Sequence, residues 1–69
     1  YAAPEQYGIN KTDERTDIYA IGVLMNVMLT GQPPEIRLYN GRLKRVIVKC
    51  TQTIPDNRYQ NVKELKRNL

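Results

Sequence analysis

Apolar residues are concentrated in one run, from residue 18 to residue 29, which only Gly22 and Asn26 interrupt. They fall on every face of a helix, and a helix that is apolar all round lies inside a protein. The run therefore predicts a buried central helix over about residues 16–30. It is shorter than the ~20 apolar residues that a membrane-spanning helix needs, so we expect no membrane span in this chain.

Polar and helix-breaking residues set the predicted ends of this central helix. Thr16 or Asp17 can cap its first turn, because short polar side chains accept hydrogen bonds from free backbone amides. Gly31 ends it, and the prolines at positions 33 and 34 prevent its continuation. A chain of 69 residues can hardly surround such a helix, so we expect the helix to need more protein than this chain contains.

Two shorter helices are predicted after the central one. Apolar residues recur at the spacing of one helix face over residues 43–51, namely at Leu43, Val46, Ile47 and Cys50. A last helix is predicted over residues 61–69, where Asn61 and Glu64 have the spacing of a capping box. No segment has the alternation of a strand, so the predicted fold class is all-α.

Cysteine and histidine usage excludes two kinds of stabilising site. Cys50 is the only cysteine and histidine is absent, so the chain has no internal disulfide and no Cys/His zinc site. A reducing, cytoplasmic location fits this usage best. Cys50 lies on the apolar stripe of its helix, which favours a buried structural thiol over a reactive one.

The chain carries 11 basic and 7 acidic residues, for a net charge of +4. Four of the basic residues lie on or beside the polar face of the second helix: Arg42, Lys44, Arg45 and Lys49. A basic helix can bind nucleic acid or an acidic surface, but no aromatic residues are interleaved with these. A solvated helix face is the preferred interpretation, and we expect no nucleic-acid partner.

Three ordered clusters carry a resemblance to a known family: Ala3-Pro4-Glu5, Asp17-Ile18-Tyr19-Ala20-Ile21-Gly22 and Asn57-Arg58-Tyr59. In this order they resemble the closing third of the C-terminal lobe of a eukaryotic-like protein kinase. The resemblance covers nearly the whole chain. It implies that residues 1–69 form a C-terminal fragment of a kinase catalytic domain, from the end of the activation segment to the last helix.

The resemblance implies a structural ion pair between Glu5 and Arg58. A guanidinium group can bind a carboxylate through two parallel hydrogen bonds, and such a pair would tie the peptide-binding segment to the helices below it. The alternative is two unrelated surface charges, which contribute ~0–1 kcal/mol if they meet at all.

Further roles are implied by the resemblance alone. Tyr1, Ala2 and Ala3 match the pocket beside the phosphorylated residue of the substrate. Asp17 matches the aspartate that anchors the catalytic loop, and we also expect it to cap its own helix.

Leu24 and Met28 match the residues at the base of the apolar column that reaches the adenine ring of ATP. Ordinary core packing is the alternative for two apolar residues one helical turn apart. Both interpretations predict that these side chains are buried. If the central helix lay on the outside with one side in solvent, the kinase assignment would be wrong.

The catalytic parts of a kinase are missing from this sequence. Phosphoryl transfer needs a glycine-rich loop, a lysine, a catalytic aspartate and metal-binding side chains. The usual His-Arg-Asp and Asp-Phe-Gly motifs need histidine and phenylalanine, and the chain contains neither. We therefore expect the chain alone to be inactive and to hold no cofactor, while ATP and Mg²⁺ would be bound elsewhere in a longer parent protein.

The segment after Pro34 is shorter than the kinase pattern requires. Only residues 35–42 separate it from the second helix, where most kinases carry a further helix and long loops. This trimmed lobe resembles a bacterial serine/threonine kinase, whose substrates would be protein hydroxyl groups. The expected partners are the rest of the kinase domain and a protein substrate, and the isolated fragment could form a homo-oligomer.

Two other functions stay open at this point. The chain could be a non-catalytic helical module that binds another protein, including a pseudokinase remnant. It could also be a small basic nucleic-acid binder, whose affinity would fall steeply with salt.

Overall fold

The computed structural model describes residues 3–4 and 13–69 and contains three α-helices in this part of the chain. They are α1 (Glu14–Thr30), α2 (Lys44–Cys50) and α3 (Val62–Arg67), with a short 3-10 turn at Pro55–Asn57 between the last two. The described residues form no strand. The predicted all-α class is confirmed, and each predicted helix is present with ends that differ by a few residues.

Helix α1 begins earlier than predicted. Its N-cap is Asp13, whose side chain accepts a hydrogen bond from the backbone N–H of Arg15 (2.8 Å). The hydroxyl of Thr16 accepts in return from the Asp13 N–H (3.3 Å), which completes a capping box. The prediction that Thr16 or Asp17 caps the helix is therefore wrong, because Asp13 is already placed to bond the free amides.

The predicted end of α1 is confirmed. Gly31 adopts the left-handed conformation, with φ of 79°, which glycine reaches without steric cost. Its N–H donates to the carbonyl oxygen of Val27 (2.7 Å), so one of the free carbonyls at the end of the helix is paired.

The core lies where α1 packs against α2. The two helices approach most closely at Gly22, where a side-chain Cβ would lie only 2.5 Å from the Cβ of Cys50. The buried apolar residues around this contact come from all three helices and from the segment before α3: Ile18, Val46, Cys50, Tyr59 and Leu65, with Ile21 and Met25 packed against them. Glycine at position 22 is therefore what allows α2 to lie against α1.

Helix α3 begins as its sequence predicts. The Asn61 side chain accepts a hydrogen bond from the Glu64 N–H (2.8 Å). The Glu64 carboxylate accepts from the N–H of Gln60 (3.1 Å) rather than from that of Asn61, one residue away from the usual capping-box partner.

The prediction that α1 is buried on every side is wrong for this chain. Ile18 and Val23 are buried, but Leu24 is 57% exposed and Met28 is 77% exposed. Helices α2 and α3 and the 3-10 turn all contact α1, and together they cover one side of it. The described residues leave its other side open to solvent.

Candidate functional site

Arg58 is a buried cation held by backbone oxygens. Only 1% of the residue is exposed. Among the described residues, its guanidinium nitrogens donate to the carbonyl oxygens of Gln52 (2.7 Å), Arg15 (2.9 Å) and Thr53 (3.3 Å). A charge removed from water needs such hydrogen bonds, because desolvation would otherwise make its burial very costly.

The Arg58 side chain links the start of α1 to the segment that follows α2. Its guanidinium carbon lies 4.8 Å from the centre of the Tyr19 ring, within the range of a cation–π interaction. Arg15 and Tyr19 both belong to α1, whereas Gln52 and Thr53 lie just beyond α2. One side chain therefore fixes the distance between these two parts of the chain.

The burial of Arg58 excludes one of the two sequence-based alternatives for this residue. Because it is almost completely inaccessible, Arg58 is not an unrelated surface charge. Its expected carboxylate partner, Glu5, lies outside the described residues, so the Glu5–Arg58 ion pair stays a prediction.

The predicted substrate pocket is described at one position. Ala3 is buried, with 1% of its surface exposed, whereas Tyr1 and Ala2 lie outside the described residues. The pocket itself stays a prediction.

Asp17 lies in the first turn of α1 and is exposed to solvent. It does not cap the helix, since Asp13 does so. A negative charge in the first turn is favourable beside the free amides of a helix N-terminus. Its role as an anchor for a catalytic loop stays a prediction, and its exposure leaves the carboxylate accessible to other residues.

Leu24 and Met28 are not core residues of this chain. Both lie on the exposed side of α1, so the burial that both sequence-based interpretations predicted is wrong within these 69 residues. The physical reason is helix geometry: Leu24 is two residues beyond Gly22, or ~200° around the helix, and Gly22 faces α2.

Asn26 is a structural residue whose role the sequence analysis did not identify. It is completely buried, and its amide donates to the carbonyl oxygens of Gln32 (2.8 Å) and Arg37 (2.7 Å). Its own oxygen accepts from the N–H of Tyr39 (2.8 Å). The Asn26 side chain thus supplies hydrogen-bond partners to backbone groups of the connection after α1. A polar residue inside an apolar run was the sequence feature that could have indicated this role, because buried polar groups are hydrogen-bonded.

Arg15 forms a second polar cluster, which the sequence pattern did not indicate. Its guanidinium pairs with Asp13 (2.8 Å) and with Asp56 of the 3-10 turn. The hydrogen bonds that Arg15 donates to Asp13 and, second, to Asp56 raise the pKa of Arg15 above its ordinary value. Because this cluster is accessible to solvent, it orients the turn more than it stabilises the fold.

Cys50 is the buried thiol that the sequence predicts. It has no exposed surface, and desolvation by burial raises the pKa of its thiol from 9.0 to about 11. A thiol that stays protonated at neutral pH is a poor nucleophile, so Cys50 packs against Gly22 rather than carrying chemistry.

Comparison with known proteins shows that the sequence of this chain is similar to parts of serine/threonine-protein kinases. The whole chain matches serine/threonine-protein kinase PknB of Mycobacterium leprae at 28% identity and a probable serine/threonine-protein kinase of Clostridium acetobutylicum at 31% identity. A part covering 49% of the chain matches serine/threonine-protein kinase A of a Synechocystis strain at 50% identity. No protein-family model matches the chain.

The chain is homologous to part of the bacterial serine/threonine protein kinases. The match covers all of the chain but only 15% of the length of the M. leprae kinase and 14% of the clostridial one. The matched stretch spans 92 residues, which exceeds the 69 residues of this chain by 23. The matched region of these bacterial kinases is therefore longer than this chain, and the shortened segment after Pro34 stays a prediction.

The sequence match is stronger evidence on the kinase relationship than the exposed side of α1, which was the observation against that relationship. The alignment covers the full chain, whereas the exposure of Leu24 and Met28 shows only that the residues of this chain do not cover them.

None of the described helices is both long enough and apolar enough to cross a membrane.

Proposed function

We propose that this chain is the scaffold at the end of a protein serine/threonine kinase domain. The parent would transfer the γ-phosphoryl group of ATP to serine or threonine hydroxyl groups of proteins. The observation that carries the proposal is the match of the entire chain to serine/threonine kinases. The buried Arg58, on a motif that the kinase resemblance requires, supports it.

The proposed roles of individual residues follow the resemblance. Arg58 would bind Glu5 and so hold the segment that contacts the protein substrate, with Tyr1, Ala2 and Ala3 beside the phosphorylated residue. The accessible carboxylate of Asp17 would anchor the catalytic loop of the parent.

The exposed side of α1 would be covered by the rest of the kinase domain. Leu24 and Met28 are apolar and accessible, and apolar residues at this spacing are suited to packing against another element. In the parent they would form the base of the apolar column below the adenine ring. In the isolated chain the same surface would favour self-association into a homo-oligomer.

The cofactors belong to the parent in this proposal. ATP and Mg²⁺ would be held by parts of the catalytic domain outside these 69 residues, and a bacterial, cytoplasmic location would fit the relatives and the cysteine usage. The residues of this chain would contribute position and rigidity, on which phosphoryl transfer depends.

A non-catalytic helical module, including a pseudokinase remnant, is the second candidate. The sequence itself carries no catalytic motif and so fits this candidate as well, whereas the match of the whole chain to part of the serine/threonine kinases supports an active parent. The two candidates differ in whether the native protein transfers phosphate.

The test uses an antibody raised against the chain to recover the native polypeptide from its source cells. We expect a polypeptide several times heavier than 8.0 kDa that transfers labelled phosphate from ATP to a protein, yielding phosphoserine or phosphothreonine. Antibody blocked with excess chain is the control. A larger but inactive polypeptide would favour the pseudokinase, and an inactive polypeptide of 8.0 kDa would contradict the proposal.

A pair of variants tests the contribution of the scaffold itself. In the active parent, Arg58→Ala should reduce phosphate transfer strongly, because it removes a buried cation on which three carbonyl oxygens depend. Lys63→Ala, at an exposed position on α3, is the matched control and should leave transfer unchanged. Equal activities of the two variants would contradict a positioning role for Arg58.

A further inference from the structure

Helix α2 has a second side that takes no part in the contact with α1. Cys50 faces α1 at Gly22, whereas Arg45 and Lys49 lie around the helix from it, since successive residues are separated by ~100°; Arg42 lies just before the helix. On this side the chain forms an open groove of about 880 Å³. The groove is bounded by α2, the segment that contains Asn57 and Tyr59, and Asn68 at the end of α3.

The described residues that line this groove carry positive charge and no negative charge. Its four ionised groups are all cations: Arg42, Lys44, Arg45 and Lys49. None of the four forms an ion pair with the part of the chain that the structure describes, in contrast to Arg15, which pairs with two aspartates. The groove therefore concentrates cationic groups that form no ion pair with a carboxylate of the described residues.

Tyr59 holds one of these cations at the floor of the groove. The Lys49 Nζ lies 4.9 Å from the centre of the Tyr59 ring, a cation–π distance. The ring itself is only 4% exposed. It supports the charge of Lys49 but offers no open aromatic face to a ligand.

We propose that this groove binds an acidic segment of a separate partner protein. Charge complementarity selects a polyanion, and the volume fits several side chains rather than one ion. Single-stranded nucleic acid usually stacks its bases on exposed aromatic rings, which the buried Tyr59 does not provide. A membrane surface is flat, whereas these cations line a concave site. The binding does not depend on the kinase activity of the parent.

The probe is a fluorescent ten-residue peptide of alternating glutamate and glycine, titrated with the 69-residue chain at low salt. A peptide with glutamine in place of glutamate is the neutral control. We expect binding of the acidic peptide to weaken with rising salt, because screening reduces attraction between accessible charges. The neutral peptide should not bind.

Two double variants with equal net charge separate the groove from general attraction. Arg42→Glu with Arg45→Glu reverses two charges in the groove, and we expect the affinity for the acidic peptide to fall about tenfold or more. Lys63→Glu with Lys66→Glu reverses two exposed charges of α3 outside the groove, and the affinity should fall less than about twofold. Circular dichroism of both variants checks that the helices are retained.

Three results would overturn the proposal. Equal losses of affinity in the two double variants would show that only the net charge of +4 attracts the peptide. Failure of the acidic peptide to bind at low salt would exclude the site. Tighter binding of a single-stranded oligonucleotide or of phosphatidylserine vesicles, lost in the groove variant, would replace the protein partner with nucleic acid or membrane. Each of these results leaves the phosphate-transfer test of the parent unaffected.

Discussion

On one side of helix α1, Gly22 and Asn26 are buried against α2 and the connection after α1, whereas on the other side Leu24 and Met28 face solvent. The sequence predicts that both sides are buried, because neither side carries a charged residue between positions 18 and 29. The difference shows that an apolar helix face predicts burial but does not identify the residues that bury it. In this structure the described residues of the chain bury one side of α1 only.

The largest effect on the covered side is expected at Asn26. Asn26→Leu keeps the approximate volume but leaves the carbonyl oxygens of Gln32 and Arg37 and the N–H of Tyr39 without their partner. We expect the free energy of unfolding to fall by about 2–4 kcal/mol, since each unsatisfied buried group costs about 1–3 kcal/mol. Urea denaturation followed by circular dichroism measures this. An unchanged midpoint would show that the connection after α1 does not depend on Asn26.

The close approach of α1 and α2 is tested by Gly22→Ala. In an exposed helix this change stabilises by about 1 kcal/mol. Here the new Cβ would lie 2.5 Å from the Cβ of Cys50 and 3.0 Å from the Cγ2 of Thr51, so we expect a net loss of about 1–3 kcal/mol. The thermal midpoint of unfolding should therefore fall in Gly22→Ala. A higher midpoint would contradict tight packing between α1 and α2.

Cys50 makes the covered side sensitive to alkaline pH. Its thiol has a pKa of about 11 in the folded chain, raised by burial from 9.0, so the folded state keeps a proton that the unfolded state loses. The stabilising contribution is complete below pH 9 and falls between pH 9 and 11, by about 1–2 kcal/mol. Burial also raises the pKa of Tyr59, which acts in the same direction.

The comparison of two pH profiles isolates the thiol. Unfolding of the chain and of Cys50→Ala by urea, measured from pH 8 to 11, should give a steeper loss of stability for the unaltered chain. Parallel profiles would mean that Cys50 can ionise without leaving the core.

The smallest effects are expected on the exposed side. Leu24→Asn and Met28→Gln should change the free energy of unfolding of the chain by less than about 0.5 kcal/mol, because accessible side chains contribute little to the fold. Leu24→Asn is also the reverse of Asn26→Leu, at a position two residues earlier on the same helix, and so gives a matched comparison of the two sides. A loss comparable to that of Asn26→Leu would show that the two sides do not differ.

The sequence was sufficient for the helices because their signals are local. Gly31 and the Asn61 cap were predictable from rules that involve only a few neighbouring residues. The start of α1 was misplaced because several polar residues precede the apolar run, and which one caps depends on the path of the backbone. Position along the chain does not show which of Asp13, Thr16 and Asp17 reaches the free amides.

The candidate site was only partly predictable for a different reason. Arg58 could be singled out by its motif, but only the folded chain brings the carbonyl oxygen of Arg15, 43 residues away, beside those of Gln52 and Thr53. The exposure of Leu24 and Met28 could not be read from apolarity, because burial depends on the residues available to cover a surface. Asn26 was visible as a polar interruption, but its partners follow from the folded connection alone.

The most direct measurement concerns what covers the exposed side of α1 in the native protein. Met28→Cys places a thiol on that side, while Cys50 stays buried, so in the 69-residue chain a thiol reagent reports on position 28, and in the native protein the label is measured on the peptide that contains this position. Lys63→Cys, at an exposed position of α3, is the control for general access. The rates are compared between the dilute 69-residue chain and the product of the complete native gene.

If α1 is the central helix of a kinase lobe, labelling at position 28 should be fast in the 69-residue chain and about tenfold or more slower in the native protein. The control at position 63 should react at similar rates in both. Equal and fast labelling at position 28 in the two proteins would show that nothing covers this side, and would contradict the assignment of α1 to the interior of a larger enzyme.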